Sequence, residues 1–129
     1  MSTDAVILVN GNYFHQSHDG YPSCIVGEML YEYIIEARKK AERNPDFSFI
    51  DMLEHLMIKD DFTYSSMNGF PCEYYYEVDS EGTIKATGMG DFEMTFKFID
   101  DKCVIIKKSG EIKEFDKWDE VNHLLNEEE

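Results

Sequence analysis

Apolar residues recur along this chain with more than one period, and each change of period marks an element. Residues 5–9, Ala-Val-Ile-Leu-Val, are a short continuous apolar run, the pattern of a buried strand. Asn10-Gly11-Asn12 interrupts it as a turn or bulge, and Tyr13 and Phe14 resume it. Over residues 24–42 the period becomes helical, with Val26, Met29, Leu30, Tyr33, Ile34, Ala37 and Ala41 on one face. Asn44-Pro45 ends that helix, because Pro disfavours helical geometry in the residue before it. A second helix is predicted over residues 47–59, with Ile50, Leu53, Leu56 and Met57 as its apolar stripe and Asp46 or Ser48 as its cap.

After Asp60-Asp61 the period changes to two. Tyr74, Tyr76 and Val78 alternate with Glu73, Tyr75, Glu77 and Asp79, and residues 83–87 return across Ser80-Glu81-Gly82 as a hairpin. Phe92, Met94, Phe96 and Phe98 alternate with Glu93, Thr95 and Lys97, residues 103–107 follow as a fourth strand, and Ile112 and Phe115 suggest a short further one. Asp116 can cap a last helix carrying Trp118, Val121, Leu124 and Leu125, and residues 126–129 read as a frayed acidic tail.

This order of elements predicts a single α+β domain spanning residues 1–129. Its antiparallel sheet is a four-stranded meander over residues 72–107 joined by the N-terminal strand, with helices packed on one face. The first helix is expected to lay Val26, Met29, Tyr33 and Ile34 on the sheet, and Phe92, Met94, Phe96 and Phe98 are expected to be mostly buried.

Charge narrows the function classes. The chain carries 27 Asp and Glu against 12 Lys and Arg, a formal charge of −15. Such a surface repels phosphate backbones and anionic membranes, so direct nucleic acid and membrane binding are disfavoured. It suits solubility, steering toward a basic protein partner, or mimicry of nucleic acid charge. Cys24, Cys72 and Cys103 are odd in number and far apart, which argues against a disulfide framework and for a reducing cytoplasm. The apolar run at 5–9 is too short for a signal sequence or a membrane span.

Residues 15–23, His-Gln-Ser-His-Asp-Gly-Tyr-Pro-Ser, join the first strand region to the first helix and hold the densest polar chemistry. Asp19-Gly20 and Pro22 have a sufficient turn-forming reason. His15, His18 and Asp19 could instead offer donors to a metal, but their spacing fits no strong zinc signature and no cofactor is expected. His18 and Asp19 with Ser17, Ser23 or Cys24 could form an acid–base and nucleophile set if brought within hydrogen-bond reach. The candidate ligand- or partner-binding residues are His15, His18, Asp19 and Tyr21. Elsewhere, Glu28, Glu32 and Glu36 read as a solvated helix face, and Tyr74-Tyr75-Tyr76, set among acids, as packing residues rather than base-stacking ones.

Asp19-Gly20-Tyr21-Pro22, placed between a strand and an amphipathic helix, resembles a motif in a group of small phage and bacterial mobile-element proteins with no assigned activity. Their later aromatic–acidic strand is similar to Glu73-Tyr74-Tyr75-Tyr76-Glu77-Val78. The Glu-Gly-His-Gly that often follows the motif is here Ser23-Cys24-Ile25-Val26. The resemblance implies an accessory protein of a phage or gene cassette. Three functions stay open in this order: an acidic interaction module, a charge mimic that occupies a basic nucleic acid-binding protein, and a small-molecule binder or enzyme at residues 15–23. An exposed aromatic sheet face or edge would also allow a homodimer.

Overall fold

The computed structural model describes residues 4–16, 25–60, 64–65, 73–88, 92–99 and 102–115. The chain opens with a hairpin of β1 (Ala5–Val9) and β2 (Asn12–Gln16). Asn10 and Gly11 form its turn with φ of 51° and 80°, the left-handed pair that a two-residue hairpin turn demands. The apolar run and Tyr13-Phe14 are therefore two antiparallel strands folded on each other, not one strand with an interruption.

A wide π-helical turn, Ile25–Leu30, leads into α1 (Tyr31–Arg43). The expected first helix thus begins with a different pitch. Ile25 and Leu30, five residues apart, both turn inward and are buried along with Val26. Ile34 and Ala37 continue the buried stripe, while Met29 and Tyr33 are partly buried at its margin. Helix α1 stops at Asn44, whose backbone N–H and side-chain Nδ2 both donate to the Lys40 carbonyl.

Helix α2 (Phe49–Lys59) starts two residues later than expected, which leaves Phe47 in the connection. Ser48 is its cap: the Oγ accepts the Asp51 N–H at 3.2 Å. Ser48→Ala should lower stability by about 1 kcal/mol, measured by urea unfolding. An unchanged midpoint would contradict the capping role.

One eight-stranded sheet underlies the helices, in the order β3-β2-β1-β4-β5-β6-β7-β8. The added strands are β3 (Tyr64–Ser65), β4 (Tyr74–Val78), β5 (Ile84–Gly88), β6 (Glu93–Ile99), β7 (Lys102–Lys107) and β8 (Ile112–Phe115). The α+β class holds, with a larger sheet than a meander plus one strand. Among the described residues every pairing is antiparallel except one: β1 lies parallel to β4, Ile7 opposite Tyr76. Parallel neighbours need a long crossover, and the helices between β2 and β3 lie within it.

Two rows of side chains fill the helix-facing side of the sheet. Val9, Val78, Ile84, Phe96 and Ile105 stand opposite one another across β1, β4, β5, β6 and β7. Phe14, Ile7, Tyr76, Ala86 and Met94 form the second row. All ten are buried and join the inner faces of α1 and α2 in one hydrophobic cluster. Phe98 is buried against the Tyr31 ring, centroids 5.4 Å apart, whereas Phe92 is only partly buried and meets Tyr74 edge-on. Three of the four alternating β6-region residues are therefore fully inside.

Cys103 lies in the same core on β7, and burial pushes its thiol from an ordinary 9.0 up to about 12. The neutral thiol is the form the fold prefers. Its stabilising effect is complete below pH 9.0 and is lost as pH rises through about 12. Thiol alkylation at neutral pH, read by peptide mass spectrometry, should leave Cys103 unmodified in the native state and modify it in denaturant. Native-state labelling as fast as in denaturant would contradict its burial.

Candidate functional site

The connection of residues 44–48 is short, so α1 and α2 fold back antiparallel. Their far ends are tied by the Tyr33 hydroxyl, which donates to Asp60 Oδ2 at 2.9 Å. Burial, that hydrogen bond and the Asp60 and Glu36 charges together push the Tyr33 hydroxyl up to about 12. Their near ends rest on the β4–β5 turn. There the Asp79 carboxylate accepts the Glu81 and Thr83 N–H groups, and Arg38 donates to the Glu81 carbonyl while lying over the Phe49 ring. Gly82 has a φ of +86°, and a Cβ there would stand 3.1 Å from the Arg38 guanidinium and 3.2 Å from the Phe49 ring. This turn requires glycine twice over, for its backbone and for the closeness of the helices. On the other side, Asn10 donates to Asp51 at 2.9 Å and Asn12 donates to Glu54, which fixes α2 over the first hairpin.

Held in this way, the two helices leave a solvent-open cleft of about 420 Å³ on their outer side. Lys40, Arg43 and Asn44 come from the end of α1, His55 and Lys59 from α2, and Met52 and Leu56 form an apolar floor. Phe47 stands at the lip, 44% exposed, with its ring centroid 6.3 Å from that of His55. The lining contains three permanent cations and no carboxylate. On a chain of −15 this is a local inversion of charge. Lys40 also pairs with Glu36 at 3.0 Å, an exposed i,i+4 bridge worth a few tenths of a kcal/mol that leaves the ammonium available to a ligand. The arrangement can hold an anionic group beside an apolar one.

Among the described residues, two smaller grooves have less to offer. One runs along α1 alone, past Tyr31, Glu32, Ile35, Glu36 and Lys39. The other crosses the open side of the sheet by Glu93, Thr95, Ile106 and Lys107. Among the described residues, no group of three or more His, Cys, Asp and Glu is placed to hold a metal ion, and no helix is long and apolar enough to cross a membrane.

Of the residues expected to form a site, His15 is in β2 opposite Val6. It is half-buried, with its Nε2 shielded from solvent. Val6 and His15 alternate with the core residues Ile7 and Phe14, so His15 faces the side of the sheet opposite the helices. The sheet and the helix layer separate it from the cleft. His18, Asp19 and Tyr21 lie outside the described residues.

The cleft residues were visible in the sequence only for other reasons. Taken one helix at a time, Lys40 and Arg43 suit the negative end of the α1 dipole, and His55 is an exposed residue of α2. The available signal was two pairs at helical spacing, Lys40 with Arg43 and His55 with Lys59, flanking a short connection that makes their helices neighbours. No family model, curated protein or solved structure matches the chain, so the cleft is read from its own residues.

Proposed function

We propose that the chain is a small cytoplasmic interaction protein, an accessory factor of a phage or mobile gene cassette, that binds a basic protein partner through the outer face of its helical pair. The observation that carries this reading is the layout of that face. Glu32, Glu36, Glu42, Asp46 and Asp60 are exposed on or between the two helices, and a cleft with an exposed aromatic lip lies between them. Rim charges of one sign speed and orient encounter, and an apolar centre holds the bound partner. Charge mimicry has less support here. Lys85 and Lys97 are interspersed with Glu77 and Glu93 on the open side of the sheet, and the cleft is basic.

The immobilised chain should capture a basic protein from host extract at low salt and release it as screening rises toward about 1 M. Charge removal at exposed positions, Glu32→Gln with Glu42→Gln, should slow association about tenfold. Capture that is indifferent to both salt and these substitutions would overturn the proposal. Self-association through the β8 edge, where Ile112 is 65% exposed, is the further reading; mass measurement of the free chain in solution distinguishes a dimer from a monomer.

A further inference from the structure

The charge of the cleft is opposite to that of the chain as a whole, and this inversion specifies a ligand. Lys40 at the cleft is ion-paired to Glu36 at 3.0 Å, and the acids Glu42, Asp46 and Asp60 are exposed elsewhere on the helical pair and its connection. A nucleic acid strand running beyond the cleft would meet the surface of a chain of −15, and its repeating charge would be repelled there. A ligand whose negative charge is confined to one group avoids that cost.

The lip sets the second requirement. Phe47, 44% exposed beside a floor of buried Met52 and Leu56, favours an apolar or aromatic group, because covering that ring removes apolar surface from water. The cleft is also open along its outer side. Ligand sites for small molecules bury about 70–90% of the ligand, which an open trough does not achieve. A groove between two helices suits a segment of polypeptide, which extends beyond it at both ends.

We infer that the cleft is the docking point for a segment of a partner protein in which one apolar or aromatic anchor stands beside a single carboxylate, flanked by neutral or basic residues. This rests on the interaction reading above and specifies the partner's chemistry. The anchor packs on the exposed Phe47 ring at the lip. The carboxylate meets Arg43 and Lys59, and the flanking cations meet Glu36 and the acidic surface beyond the cleft. A uniformly basic segment is attracted to the protein as a whole but opposed in the cleft, so the inverted spot fixes the register of a partner that the acidic surface has steered.

A library of random displayed peptides, selected against the folded full-length chain, tests this directly. Enriched sequences should pair Trp, Phe or Leu with one Asp or Glu. A synthetic peptide of the enriched sequence should bind about tenfold more weakly when its carboxylate is replaced by the amide, and about tenfold more weakly to Lys59→Glu or Phe47→Ala. Both protein positions are exposed, and circular dichroism and urea unfolding establish that the variants fold. Three outcomes overturn the inference. Enriched peptides carrying only Lys and Arg, with binding unaffected by Lys59→Glu, would refute the cleft while leaving the acidic interaction surface standing. Enriched runs of Asp and Glu would refute confinement of the charge. No enriched sequence at all would count against both readings.

Discussion

Replacing Phe96 with Ala is expected to lower stability by about 3–5 kcal/mol, seen as a shift of the urea midpoint with little change in slope. Phe96 is fully buried at the centre of the row formed with Ile84 and Ile105. Truncation removes the ring from the core and leaves a cavity that neighbouring strands, held by their ladders, cannot close. Phe92→Ala gives the internal comparison. That ring is only partly buried, against Tyr74, and should lose distinctly less. Equal effects at the two positions would mean that the register of β6 is misplaced.

A larger effect is expected for Ile7→Asp: no cooperative unfolding transition should remain. Ile7 is fully buried, set between Phe14 of β2 and Tyr76 of β4. Losing the apolar side chain costs about 2–5 kcal/mol, and holding a carboxylate there costs several more. Folded domains have only about 5–15 kcal/mol in hand. The same substitution at Leu8, on the opposite side of the sheet and half-buried, should be better tolerated. If Ile7→Asp unfolds cooperatively near the wild-type midpoint, the central position of β1 is wrong.

These two positions also mark what the sequence made legible. The β6 strand could be read directly because its apolar residues alternate, and alternation is a local property of a sheet with one buried face. The cap of α2 was legible for the same local reason, to within two candidates, Asp46 and Ser48, before an apolar stripe. The neighbours of β1 were not legible. A continuous run such as Ala-Val-Ile-Leu-Val announces burial but gives no direction, and its parallel pairing with β4 depends on a connection of some sixty residues. The π-helical turn is not legible because adjacent apolar pairs, Ile25-Val26 and Met29-Leu30, satisfy a spacing of five as well as one of three or four.

The site was harder to read than the fold. Polar side chains are densest in sequence at residues 15–23. The cleft gathers residues from two helices, and its cations become neighbours only once α1 and α2 lie antiparallel. Single-helix reasoning gives each cation a sufficient local role, so nothing in the linear pattern requires them to converge.

Lysine labelling with an acetylating reagent, read by peptide mass spectrometry on the free chain and on its complex with the captured partner, tests the role of the helical pair most directly. Lys40 and Lys59 line the cleft, whereas Lys97 and Lys102 are exposed on the sheet. Binding at the helical pair predicts that Lys40 and Lys59 lose reactivity in the complex while Lys97 and Lys102 keep it. Protection of Lys97 and Lys102 with Lys40 and Lys59 still labelled would contradict it.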